Sequence, residues 1–275
     1  MDPRFVALAR LDDTDISLAE GALLIAAEHY PGLDLNYWLT EINALGEKAR
    51  QRIRPEMNWT TQLSILNHLL FREEGFTAAA VEVFDSRDSF LNEVLTRKSG
   101  IAITLSIVFM EVGNRAGLNI RGVSFPGHFL VKMAVEEGSE VVIDPYNGGI
   151  PLTLDQLHAR LNAVYPEPPR PALEDVLRAA SNKQILARVQ RNLKTWHLHN
   201  NDWPAALAAL NRILLLEPDN LTELRERGEL YWQMECFGAA YADLSRFLAD
   251  APEGEQFDAL HLRMAELQQL AAQIH

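Results

Sequence analysis

Arg97-Lys98-Ser99-Gly100-Ile101-Ala102 leads into a run from Ile103 to Arg115 whose apolar residues Ile103, Ile107, Val108 and Val112 recur at helical spacing. After Ala116-Gly117 the period drops to that of a strand, giving Ile120 to Phe125, His128 to Val135 and Glu140 to Asp144, with Glu137-Gly138-Ser139 as the last turn. The expectation is one largely buried helix, Ile101 to Arg115, followed by a small antiparallel sheet that carries His128 on its second strand and Asp144 at the end of its third. The half-block before the helix starts at Ser89, read as a cap, and carries Phe90 and Val94 up to the interruption at Ser99-Gly100.

Upstream, from Ile16 to Phe76, apolar residues again fall at helical spacing, broken at Tyr30-Pro31-Gly32 and Arg54-Pro55, so three helices are predicted there. Downstream, Pro151 to Val164 reads as helix. Tyr165 to Pro171 then holds four prolines in seven positions, either a linker or a stiff strap lying on the first domain. Everything beyond is helical with a period of 34: Pro218 with Pro252, Leu210 with Leu244, Ala206 with Ala240, Ile213 with Phe247. In the same register Gly228 corresponds to Lys194. Glu253 to His275 reads as a further amphipathic helix closing the stack. The chain is thus expected to be α+β in residues 1–165, a Pro-rich strap or linker in 166–180, and all-α in 181–275.

The composition of the 275 residues, 48% hydrophobic and 23% charged, supports packed cores. Lys and Arg number 25 against 38 Asp and Glu, and a net charge of −13 argues against nucleic acid or an anionic membrane as main partner. A single cysteine, Cys236, excludes an intramolecular disulfide framework and any Cys-rich metal site. His29, His68, His158, His197, His199, His261 and His275 show no metal-ligand spacing on a common face, so neither metal nor cofactor is expected. The first residues carry no signal-peptide pattern, and no run of about 20 apolar residues occurs, so a cytoplasmic location is expected.

The Gly-led helix, the helix-to-strand Gly117, His128 and the Asp144-Pro145 step together resemble the transglutaminase-like, papain-related core. The resemblance implies a nucleophilic cysteine at the start of the buried helix, a histidine that takes its proton and an aspartate that orients the imidazole. His128 and Asp144 match; the nucleophile position falls on Ala102, whose methyl group cannot attack. Thr104 and Ser106 lie on the same helix, Ser106 about one turn, roughly 5.4 Å, further along. The 34-residue register, with small alanines at the crossing of paired helices, resembles the tetratricopeptide repeat. Phe76, Ser89 to Leu95, Arg97 to Gly100, Pro126 to Phe129 and Ile143 to Gly149, with the helical leader and the repeats, make the whole chain similar to the bacterial Sir-B family, to which a regulatory association with gene expression is attached.

Two functions follow as expectations, with a third between them in which the old cleft binds a small molecule or peptide without converting it. One is a non-catalytic adaptor or regulator, a pseudoenzyme that binds a protein partner. The other is a hydrolase or acyl transferase working through a His128/Asp144 dyad without a cysteine. Asn92 and Arg97 either line the same cleft or make capping contacts. On the repeats, Arg188, Arg191, Arg225 and Trp232 are candidate partner-binding residues on the first helices of the pairs. Three guanidiniums suit an acidic peptide or a chain-terminal carboxylate, with a solvated helix face as the alternative. Trp196, Trp203, Tyr231 and Phe237 read as repeat core.

Overall fold

In the computed structural model Asp2, Ser17, Asp34 and Asn58 each accept a backbone N–H from the first turn that follows, which opens α1 (Pro3–Ala9), α2 (Leu18–Ala27), α3 (Leu35–Arg50) and α4 (Trp59–His68). The structure describes residues 1–80, 85–135, 138–250 and Met264. The three predicted leader helices are α2 to α4, and α1 is an addition that the sequence reading missed. Leu23, Leu24, Ile25 and Ala26 of α2 are all core residues. α4 widens at its end into a π-helical turn, Leu69–Glu73.

The chain then forms β1 (Thr77–Ala78), α5 (Leu91–Arg97) and β2 (Ser99–Gly100), with β1 and β2 parallel and Thr77 opposite Ser99. Ser89 is not the cap of α5. It ends a 3-10 turn, Ser86–Ser89, and Phe90 takes the N-cap position without a side-chain hydrogen bond. Gly100 is required where it stands, because a Cβ there would lie 2.7 Å from Thr104 Oγ1 and 3.1 Å from Val94.

The expected buried helix is α6 (Ala102–Arg115), with every residue from Ile103 to Met110 buried. It packs on a four-stranded antiparallel sheet in chain order, β3 (Ile120–Val123), β4 (Leu130–Ala134), β5 (Glu140–Asp144) and β6 (Ile150–Pro151). Two points differ from expectation. His128 lies in the turn before β4, because Pro126 and Gly127, the latter at φ 69°, interrupt the extended run. A fourth strand, too short to show an alternating pattern, is added at Ile150. The hairpin turn between β4 and β5 includes Glu137, which is outside the described residues; Val135 N–H donates to Ser139 O at 2.9 Å.

A capping box between Thr153 and Gln156 starts α7 (Leu154–Val164). Its Leu157 and Leu161 join Val123, Phe125, Leu130 and Leu152 in one cluster, on which Leu173 and Val176 of the short α8 (Leu173–Val176) also pack. Beyond α8, Ala180 N–H donates to Gly122 O at 2.8 Å, and Ala179 pairs with Val123. The segment after the prolines is therefore laid on the edge of the sheet.

The chain separates into two units, Met1–Val189 and Gln190–His275, with the boundary inside α9 (Asn182–His199). In the first unit the Asp13 carboxylate accepts the N–H groups of Asn182 and Lys183 at 3.0 and 2.9 Å, and so caps α9 from 169 residues away. Asp13→Ala is expected to lower unfolding free energy by about 1 kcal/mol, with Asp13→Asn retaining part of it. An unchanged urea midpoint for Asp13→Ala would show that the contact contributes nothing.

In the second unit the 34-residue step is a step in the elements: α10 (Trp203–Leu216) and α12 (Phe237–Asp250) start and end 34 apart, with α11 (Leu221–Gln233) between them. Ala206 and Leu210 pack with Leu230, and Ala240 and Leu244 with Tyr231, Trp232 and Phe247. Gly228 sits against α12, where a Cβ would stand 2.7 Å from Leu244 Cγ. At the matching position of α9, Lys194 instead extends its amine to Glu223 at 2.7 Å and to Glu226. The proposed closing helix, 253–275, lies outside the described residues except Met264, which is helical and packs on the Ala240 cluster.

Candidate functional site

Asp144 ends β5 and is completely buried. Pro145, which has no N–H to satisfy, follows it into a 3-10 turn, Pro145–Asn147, and the carboxylate accepts Asn147 N–H at 3.3 Å. The antiparallel register, Val131 opposite Ile143, brings the turn before β4 alongside the end of β5. His128 Nε2 then lies 3.0 Å from Asp144 Oδ1. The other oxygen, Oδ2, accepts Asn147 Nδ2 at 2.7 Å and Arg160 Nη2, from α7, at 2.8 Å.

Burial pushes the Asp144 carboxyl up, but the hydrogen bonds from His128, Asn147 and Arg160 outweigh it and hold the group at about 2. An ionised Asp144 makes Nε2 the donor, so a neutral His128 presents Nδ1 as a lone-pair acceptor. Nδ1 has no hydrogen-bond partner among the described residues. Tyr146 lies edge-on to the imidazole at 5.7 Å, and its hydroxyl donates to Ala79 O at 3.1 Å. Asn147 belongs to the stretch quoted from the sequence. Arg160 gave no local signal, since a single arginine on an amphipathic helix reads as solvated surface.

α6 packs on the Pro145–Asn147 turn and on β4, and Ala102 is its first residue. The two hydroxyls on this helix are poor replacements for a cysteine: Thr104 donates to Asp88 O at 2.7 Å, and Ser106 is fully buried. Cys236 is exposed in the second unit, just before α12. Arg97 pairs with Asp88 at 3.0 Å, where burial pushes the Asp88 carboxyl up and Arg97 draws it down; Asn92 is buried on α5. Among the described residues no group of three His, Cys, Asp or Glu could hold a metal ion, and no helix is long and apolar enough to cross a membrane.

The arginines of the repeat surface are engaged within the chain. Arg191 Nε donates to Glu223 at 2.6 Å, and its Nη2 donates to Glu217. Burial opposes the charge on Arg191, but these two carboxylates hold the guanidinium above its ordinary value. Arg225 pairs with Glu229 at 2.8 Å, one turn along α11, and lies over the Phe247 ring. Trp232 packs on the Ala240 and Leu244 cluster, and Arg188 lies three residues before Arg191 on α9.

Residues 36–191 match the model of the transglutaminase-like superfamily, and residues 193–265 match that of the tetratricopeptide repeat. A UPF0162 protein of Xylella fastidiosa is 35% identical over 275 residues, covering 99% of this chain and 98% of the relative. The chain belongs to the UPF0162 family. The UPF0162 protein PA3419 of Pseudomonas aeruginosa is 30% identical over 97% of both chains. The protein SirB1 of Salmonella typhimurium is 26% identical over 90% of this chain and 91% of its own length. No solved structure matches. This UPF0162 chain is therefore a transglutaminase-like protein with tetratricopeptide repeats, similar to SirB1 over nearly its whole length.

Proposed function

We propose that the chain is a non-catalytic adaptor or regulator: a transglutaminase-like unit without its nucleophile, joined to repeats that bind a protein partner. The observation that carries this reading is that α6 opens with Ala102 while the His128–Asp144 pair stands formed. Without a side-chain nucleophile the covalent acyl-enzyme route is closed to this pair. The repeats supply the partner surface, as such arrays do by presenting an extended concave face. On that face Arg191 acts in holding the repeats together. Arg225 is the arginine we assign to an acidic partner segment, because its pair with Glu229, in which each side chain is about one-third exposed, can be exchanged for a partner carboxylate. Trp232, on the same helix, is assigned to the same partner surface.

The unengaged Nδ1 of His128 favours one second reading, a hydrolase or acyl transferase in which this nitrogen activates water or a substrate hydroxyl. The two readings part on turnover of a p-nitrophenyl ester and of a glutamine peptide supplied with an amine. The adaptor reading expects wild type and His128→Ala to be equal; a rate lost in His128→Ala overturns it. Ala102→Cys tests the placement of the missing nucleophile. If the placement holds, so that His128 serves as its base, a thiol at the first residue of α6 is expected to alkylate with iodoacetamide about tenfold faster than Cys236 near pH ~6, its larger thiolate fraction being offset in part by lower nucleophilicity. In the Ala102→Cys, His128→Ala double variant that advantage should shrink to what the helix terminus alone provides. Equal rates at residues 102 and 236 in the single variant would remove Ala102 from the nucleophile position.

A further inference from the structure

Between the π-helical end of α4 and the Pro145–Asn147 turn lies a cavity of about 510 Å³. This is within the size range of small-molecule sites. The π-turn keeps Leu69 and Leu70 in the core while His68, Phe71 and Arg72 line the cavity. Ser64, Thr77 and Tyr146 complete the working part of the wall.

The charge of this wall is opposite to that of the chain. Among the described residues that line it none is an aspartate or glutamate, in a protein with 38 of them. Arg72 is exposed and has no ion-pair or hydrogen-bond partner among the described residues, and the Ser64 and Thr77 hydroxyls likewise make no hydrogen bond there. The nearby Glu73 contacts His68 at 3.4 Å, but its closer partner is Arg52 at 2.7 Å, so it is already neutralised. A planar guanidinium and two hydroxyls beside the Phe71 and Tyr146 rings are complementary to a carboxylate on an apolar or aromatic body.

We propose that this cavity is a carboxylate-binding site anchored by Arg72. The aromatic body lies against Phe71 and Tyr146, while Ser64 and Thr77 donate to the carboxylate oxygens. Tyr146 is shared with the dyad, its ring lying edge-on to His128. Occupation of the cavity is therefore felt at the imidazole without any bond to it. The site is independent of whether the dyad has chemistry to perform.

The carboxylate can come from a free acid or from the end of a peptide, and NMR titration of the full chain separates the two. The probes are N-acetylphenylalanine, a short peptide ending in phenylalanine, and the carboxamide form of each. The expected result is saturable shifts at Phe71, Thr77 and Tyr146 with at least one carboxylate, a moved His128 ring signal, and none of these with the amides. Arg72→Gln, whose melting temperature should equal that of wild type because Arg72 is exposed and has no partner among the described residues, is expected to weaken binding about 10- to 100-fold. Saturation by the peptide alone assigns the site to a chain terminus, and saturation by the free acid assigns it to a small molecule. No saturable shift with either carboxylate, equal binding of the amides, or equal affinity in Arg72→Gln overturns the proposal.

Discussion

Asp144→Ala is expected to lower the unfolding free energy by about 3 kcal/mol, read as an earlier urea midpoint. The carboxylate is fully buried and receives four hydrogen bonds, from His128 Nε2, Asn147 N and Nδ2, and Arg160 Nη2. Its removal leaves a cavity and strips three side chains of the group that orients them. Arg160 is about one-third exposed and recovers part of its hydration, which keeps the cost from rising further. The same contacts set an acid dependence. The folded value of about 2 lies below the ordinary 3.8, so the folded protein binds fewer protons than the unfolded chain across this interval. The carboxyl's contribution, about 2 kcal/mol, is complete above pH ~4 and is lost as pH falls through ~2. Urea midpoints measured across that interval should fall less steeply for Asp144→Asn than for wild type. An Asp144→Ala protein as stable as wild type would mean that the four contacts contribute nothing net.

Glu223→Ala is the second large effect, again about 3 kcal/mol, and it falls on the repeats. Glu223 and Lys194 are both nearly buried, and the carboxylate binds Lys194 Nζ at 2.7 Å and Arg191 Nε at 2.6 Å. Truncating Glu223 leaves the lysine with Glu226, which is far more exposed, and leaves Arg191 with Glu217. The costly product is a buried ammonium held by one exposed carboxylate alone. Lys194→Met combined with Glu223→Leu should recover most of the loss, because an apolar pair carries no desolvation cost. Trp196, Trp203 and Trp232 report on this unit by fluorescence. A Glu223→Ala protein within about 0.5 kcal/mol of wild type would place the pair among contacts that position helices without stabilising them.

The sequence was most readable where a period ran long enough to be counted. The leader helices, α6, the three longer strands and the 34-residue step all rest on runs of apolar residues whose spacing reflects which side faces a core. β1, β2 and β6 are two residues each and have no period to read. α1 is a short helix marked only by Asp2-Pro3. Lys194 stands where the next repeat has the small Gly228, and the structure shows why a long side chain fits there: its amine reaches carboxylates of the next helix. His128 and Asp144 could be named from a motif and their contact follows from the strand register. The capping of α9 by Asp13 joins residues 169 apart, and Arg160 sits on an amphipathic helix where one arginine reads as solvated surface, so local residue pattern carries no trace of either contact.

The ring of donors around Asp144 has an evolutionary corollary. An orienting aspartate that is also a keystone of the fold is held by selection for folding, whether or not a reaction remains to be catalysed. On the proposed reading, replacement of the nucleophile leaves the rest of the apparatus standing, and restoring a thiol at position 102 would be a single substitution. Loss of activity by that route would be reversible, whereas loss of Asp144 would have to be repaired in the scaffold first. Among relatives, a preserved histidine–aspartate pair is accordingly a record of stability before it is a record of chemistry.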